Sequence, residues 1–253
     1  MAEYTPPLLE ERRGDVLLLT LNRPEKHNAL NAALTHMLGD AVRRAAPEGV
    51  NIIVISGAGE RAFCAGGDML EMSGVEAASA NLPPPSERLN AFSEISATPL
   101  PVIAAINGIC YGGGARLAIG CDIRLASDDA TFRLPGAEYG LVVGAAHLPR
   151  LVGSSKAKEW IFTARKFDAQ EALDAGLVSS LHPRTALLDA AMAMANLIAG
   201  HDQDAVRQSK RVIDAATLDE HAVDLEAEIN RGLRGTDSQA ARFREATRRV
   251  TGR

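Results

Sequence analysis

No stretch of this 253-residue chain stays apolar for the roughly 18 residues that a bilayer-crossing helix needs, so a membrane protein of that kind is not expected. The opening residues, MAEYTPPLLEERRGD, lack a basic segment running into an apolar one. That is not a secretory signal, and the chain reads as cytoplasmic. Cysteine is scarce: Cys64, Cys110 and Cys121 stand far apart, without a CxxC pair or an accompanying histidine cluster. Neither a disulfide framework nor a metal site is expected. A basic excess is missing too, since 27 Lys and Arg face 32 Asp and Glu for a net charge of -5, which argues against nucleic acid as a partner. The dinucleotide fingerprint is absent as well, because the first apolar strand leads into NRPEKHNAL rather than G-x-G-x-x-G.

What remains is ordinary globular composition, 46% hydrophobic and 23% charged, enough for one large domain or a domain with an appendage. The run DVLLLTL at 15–21 predicts a strand ended by the turn Asn22-Arg23-Pro24. Leu30, Leu34, Met37, Leu38, Ala41 and Val42 then recur at helical spacing, with Asn28 or Asn31 as the cap. Buried strands follow at 51–56, 102–106 and 122–126, and a helix near 86–97. This succession of strands and helices implies an α/β core. Beyond Ser154 helical periodicity takes over, through 160–164, 169–175, 186–198, 204–215 and 219–233.

Two glycine-rich turns, each after a buried strand, are the strongest chemical signal: Phe63-Cys64-Ala65-Gly66-Gly67-Asp68 and Tyr111-Gly112-Gly113-Gly114-Ala115-Arg116. Glycine lets the backbone approach a ligand and adopt positive φ, so such turns can aim N–H groups at an anion. A turn that also opens a helix adds the helix dipole. The bland alternative is that these glycines make tight turns or let a helix pack against a strand. A second open reading concerns Arg231, Arg234, Arg242, Arg244, Arg248, Arg249 and Arg253, which dominate the end of the sequence. They form either a solvated helix face or a set of cations for a phosphorylated ligand or a subunit contact.

LNRPEKHNAL at 21–30, FCAGGDM at 63–69, PVIAAINGICYGGGARLAIGCDIRLAS at 101–127, LPRLVG at 148–153 and ARKFDAQEALDAGLVSSL at 164–181 together resemble the enoyl-CoA hydratase/isomerase (crotonase) family, in order and spacing, over nearly the whole chain. The resemblance implies an α/β crotonase-like spiral of ββα units over 1–190 and a C-terminal helical trimerisation region over 191–253, in a homotrimer or a hexamer of two trimers. It implies an acyl-CoA thioester as substrate, with coenzyme A entering as part of that substrate and no cofactor tightly bound. By the same resemblance, the N–H groups of Gly67 and Gly113 would hold the thioester oxygen. Ala65, Gly66, Asp68, Met69 and Leu70 would lie along the coenzyme, with Lys26 and the backbone of Asn28, Ala29 and Leu30 near its nucleotide end.

This sequence departs from the family's pattern where hydratases carry two glutamates. Arg116 and Gly136 occupy those positions. A permanently protonated guanidinium and a glycine cannot activate water or protonate carbon. The segment after Gly140, LVVGAAHLPRLVG, is shorter than the family's usual phrase and lacks the aspartate that some isomerases place there. Glu138 and His147 are the nearby titratable candidates. Glu138 is either a single acid/base or a salt-bridged carboxylate, paired to Arg116 or Arg133. His147 is either a base or a helix-start residue bonded to backbone. Arg116 either binds an acyl carboxylate, neutralises a glutamate, or points to solvent or a subunit interface. The chain is thus expected to be an acyl-CoA lyase or isomerase. The alternatives are a non-catalytic acyl-CoA-binding protein, a decarboxylase or thioesterase, and a CoA-independent hydrolase on the same scaffold.

Overall fold

A computed structural model describes residues 5–78 and 82–252. Its strands are β1 (Leu8–Arg13), β2 (Val16–Leu21), β3 (Ile52–Gly57), β4 (Ala62–Cys64), β5 (Val102–Ile106), β6 (Ile109–Tyr111), β7 (Ile123–Ser127), β8 (Thr131–Arg133), β9 (Lys166–Asp168) and β10 (Ser180–His182). Helices α1 (Ala32–Ala45), α2 (Met69–Met72), α3 (Ala91–Ala97) and α4 (Gly113–Gly120) lie in the first half. They are followed by α5 (Leu148–Thr163), α6 (Ala169–Asp174), α7 (Arg184–Ala199), α8 (Gln203–Thr217), α9 (Glu220–Leu233) and α10 (Asp237–Thr251).

Alternation along the long strands decides the layering. In the six-stranded sheet β1-β2-β3-β5-β7-β10 only the β1–β2 pair is antiparallel. One set of side chains, Leu17, Leu19, Leu21, Ile53, Ile55, Ala104 and Ile106, enters the main core with α1, α3 and α4. The other set, Val16, Leu18, Ile52, Val54, Ile103 and Ala105, meets Leu187, Ala191, Met192 and Ala195 of α7. A parallel sheet covered on both faces needs this double apolar register, hence the continuous runs NIIVIS and VIAAI.

A four-stranded sheet, β4-β6-β8-β9, stands beside the first. The chain passes from large sheet to small three times, β3 to β4, β5 to β6 and β7 to β8, and each pair leads into helix, which builds the spiral of ββα units. Two expectations need amendment. β1 went unforeseen, since five of its six residues are exposed charged or apolar side chains and only Leu8 is buried, as suits a charged edge strand. The helix expected near 86–97 is a 3₁₀ turn, Pro85–Glu87, followed by α3, capped by the Asn90 side chain on Phe92 N. Part of the loop between α2 and that 3₁₀ turn falls outside the described residues.

Candidate active site

The parallel register brings the two glycine turns to the same end of the spiral. Leu30 forms a parallel bridge with Gly67: Leu30 N–H donates to Gly66 O at 2.7 Å and Asp68 N–H donates to Leu30 O at 2.9 Å. In such a bridge the amide of the middle residue points the other way, so Gly67 N–H is directed away from Leu30. On that side lies the start of α4. Gly66 takes φ +111°, where a side chain is strained, and a Cβ there would stand 3.1 Å from Tyr111 O and 3.4 Å from Gly113 N. The closest approach is at Gly114, whose absent Cβ would fall 2.1 Å from Cys64 O. Only glycine lets helix and strand meet this tightly.

Gly113 is the first residue of α4, so its amide has no acceptor within the helix. Neither Gly67 N–H nor Gly113 N–H donates to any described residue, and the nitrogen of Gly67 lies 3.4 Å from where a Gly113 Cβ would be. Two free amides therefore sit side by side at a helix N-terminus, where the dipole favours negative charge. The thioether of Met72 rests against Gly67, with Sδ 2.5 Å from the position of a Gly67 Cβ.

The first turn is braced internally. Asp68 is 4% exposed and caps α2. Its Oδ1 accepts from Leu70 N and Glu71 N, and its Oδ2 takes an ion pair from Arg23 at 2.8 Å. Burial pushes the Asp68 carboxyl up, but the Arg23 guanidinium and the Glu71 amide outweigh it and hold it below the ordinary carboxylate value. Asn28 is fully buried; its side chain accepts from Arg23 N and donates to Ala58 O and Ala62 O. The side chains of Asn28 and Asp68 are thus committed to the protein, while Ala65, Met69 and Leu70 remain partly exposed along the turn. Lys26 carries an ion pair to Glu76 at 3.1 Å, and Ala29 lends its carbonyl to Arg23.

Glu138 lies in a 3₁₀ turn, Ala137–Tyr139, and both its oxygens are engaged, one by Arg133 at 2.5 Å and the other by Arg249 of α10. Tyr139 meets Phe243 of α10 edge-on at 6.3 Å, so α10 is fastened across this turn. His147 caps α5 without a side-chain hydrogen bond, and it lines a cavity together with Arg116. Burial, then the charge of Arg150, lowers the His147 pKa below its ordinary value. The three cysteines are buried, and burial pushes the thiols of Cys64 and Cys121 up to about 12, which leaves them inert at neutral pH.

Over residues 11–247 the sequence matches the profile of one family, described as enoyl-CoA hydratase/isomerase. The chain belongs to the enoyl-CoA hydratase/isomerase family. A putative enoyl-CoA hydratase/isomerase of Bacillus subtilis is 36% identical over 82% of this chain and 81% of its own. The 2,3-dehydroadipyl-CoA hydratase of Escherichia coli is 38% identical over 81% of both. Among solved structures, an enoyl-CoA hydratase/isomerase from Pseudoalteromonas atlantica superposes with a TM-score of 0.84 at 29% identity, covering 95% of this chain and 97% of that one. The crotonase fold and the family are therefore as the sequence motifs imply.

Residue-by-residue reading missed three features of this family member's site. Glu226 and Asn230, one turn apart on α9, hold the segment after Gly140. Glu226 accepts from Gly144 N at 3.1 Å and Ala146 N at 2.9 Å, and Asn230 exchanges hydrogen bonds with Val142. Their only signal is two polar residues at i and i+4 on a helix face that turns out buried. The Arg23 brace and the placement of Met72 over Gly67 carry no sequence signal of their own. Among the described residues no cluster of His, Cys, Asp and Glu could hold a metal, and no helix is long and apolar enough to cross a membrane.

Proposed function

We propose that this chain is an acyl-CoA enzyme that stabilises negative charge on the thioester oxygen with the amides of Gly67 and Gly113. The observation that carries this reading is the pair of adjacent, unengaged N–H groups at the start of α4. Donors fixed in this way act where charge develops, and they need no reorganisation during the reaction. Ala65, Gly66, Met69 and Leu70 then lie along the coenzyme and Lys26 toward its nucleotide end, with Asn28, Ala29, Leu30 and Asp68 contributing by shaping the backbone.

With arginine and glycine in the two glutamate positions, His147 is the proton acceptor in this proposal. It lines the cavity with Arg116, itself one helical turn from Gly113 on α4, and burial lowers its pKa, which favours the neutral imidazole that a base requires. Glu138, with both oxygens held by guanidinium groups, instead fastens α10 over the site. A single base fits isomerisation better than hydration. Shifting a double bond needs one group to take a proton from one carbon and return it to another, whereas hydration needs both a base for water and an acid for carbon.

His147→Gln is expected to lower kcat for a 3-enoyl-CoA by about 100-fold, the lower end of a general base's contribution. Because the folded pKa is lowered, wild-type kcat should hold from neutral pH down to below the ordinary histidine value of about 6.5 and fall only beneath it. A variant as fast as wild type, or one retaining the same acid limb, removes His147 from this role. Binding without turnover of any thioester favours the carrier alternative.

A homotrimer, or a hexamer of two trimers, is part of the same proposal. Its support is the exposed apolar side chains of α8 and α9: Val212 is 68% and Ile213 60% exposed on α8, and Leu225 and Ile229 are exposed on α9. Sedimentation velocity should give three or six times the chain mass of 26.8 kDa, and a single-chain mass at micromolar concentration counts against it.

A further inference from the structure

Proton transfer at the thioester leaves one feature unused: a half-buried guanidinium without an acceptor, facing an open cavity. The cavity, about 390 Å3, lies between α3, α4, the segment after Gly140 and the first turn of α9. Phe92, Ile119, Gly144, His147 and Val223 line it with Arg116. Arg116 lies three residues beyond Gly113 on α4, and therefore on the same face, one turn deeper. That spacing sets Arg116 one helical turn from the amide on which the thioester carbonyl is proposed to rest.

Arg116 is placed there by a stacking contact alone. Its guanidinium carbon lies 4.6 Å from the centroid of the Phe92 ring, a cation–π contact that uses none of its N–H groups. It forms no hydrogen bond or ion pair with any described residue, unlike Arg23, Arg44, Arg133, Arg150 and Arg165, each paired to a carboxylate. Glu226, whose charge favours the protonated guanidinium, has both oxygens occupied by the amides of Gly144 and Ala146. Arg234 adds repulsion, and burial disfavours the charged form. Glu220 and Asp224 also line the cavity, but both are exposed on α9, where water screens them, and neither pairs with Arg116.

A desolvated cation with a free planar donor edge matches a carboxylate, which it can hold through two parallel hydrogen bonds. We infer that the acyl group bound here carries a free carboxylate at its far end, which pairs with Arg116 in this cavity, so that the substrates are monothioesters of dicarboxylic acids. The inference rests on the acyl-thioester reading above, and the experiment separates the two.

Full-length protein is titrated calorimetrically with two pairs matched in carbon number, butyryl-CoA against succinyl-CoA and hexanoyl-CoA against adipyl-CoA. In at least one pair the acidic thioester should bind roughly tenfold or more tighter, as a charge-assisted pair in a partly buried site provides. In Arg116→Met, and in Arg116→Gln should the first fold poorly, the acid-to-neutral ratio should collapse toward one. Equal or tighter binding of the neutral member in both pairs overturns the inference and leaves the thioester reading standing. A preference that survives in a folded variant overturns the assignment to Arg116. Failure of all four to bind overturns the thioester reading, and this inference with it.

Discussion

Replacing Gly113 with proline is expected to lower kcat/KM for an acyl-CoA substrate by about 100- to 1,000-fold, the cost of removing one donor from an oxyanion-binding pair. The substitution is selective because of where the residue stands. Gly113 is the first residue of α4, a position whose N–H has no helical partner and where proline's fixed φ is tolerated. Far-ultraviolet circular dichroism should therefore match the wild type. Gly113→Ala supplies the control, since it adds a methyl at ordinary contact distance, 3.4 Å from Gly67 N and Leu30 Cδ1, and keeps the N–H. Alanine should cost far less than proline. Equal losses in the two variants would show that crowding, not the lost donor, is responsible, and an active proline variant would remove Gly113 from the chemistry.

Arg23→Met should destabilise the protein by about 3 kcal/mol at pH 7, because the substitution strands a buried carboxylate. The Arg23 side chain is 13% exposed and that of Asp68 5%, so water replaces little of what is lost. The same arginine also donates to the carbonyl of Ala29, which loses its partner as well. The sign of the pH dependence follows from the direction of the shift. In the wild type the Asp68 pKa is depressed, so its contribution is complete above the unfolded value of about 3.9 and disappears as pH falls through the folded value. Without Arg23, burial, the helix-cap amides and the charge of Lys26 remain. Burial favours the neutral acid, and the variant's deficit should shrink as pH falls toward 4. Urea denaturation at pH 7 and pH 4 reads both effects. A deficit under about 1 kcal/mol, or one independent of pH, would mean that the pair does not brace the first glycine turn.

The parts of the fold that were legible in the sequence are those whose burial is local and repeated. β2, β3 and β5 are almost wholly apolar because the main core and α7 enclose them, β7 keeps an apolar signal around its buried Arg124, and α1 shows its stripe directly; of its two cap candidates, Asn28 and Asn31, it is the Asn31 side chain that accepts from Leu34 N. The second sheet was not legible. Its strands have three residues each, too short for a period of two to register, and their pairing is set by spiral geometry. Helix α10 reads as a charge run because its buried residues are only Phe243, Ala246 and Thr247; what fixes it is contact with the turn around Glu138 and Tyr139.

The same contrast divides the site. Both glycine turns announce themselves, since close approach and free amides need consecutive small residues. Arg23 and Asp68 are 45 positions apart, and Glu226 and Gly144 are 82 apart. No local pattern encodes such pairs, which exist only once the spiral closes. Arg116 stood out in the sequence at the end of the second glycine turn, but its contact with Phe92 depends on how α3 lies against α4.

The infrared band of a thioester carbonyl reports directly whether the two amides act on one oxygen. With butyryl-CoA labelled with carbon-13 at the carbonyl, the isotope-edited difference spectrum of the complex should show the C=O stretch well below its position for the free thioester in water, and Gly113→Pro should return much of that shift. A bound carbonyl that absorbs where it does in water, or one indifferent to the loss of the Gly113 N–H, would contradict the assignment of Gly67 and Gly113 as the pair that holds it.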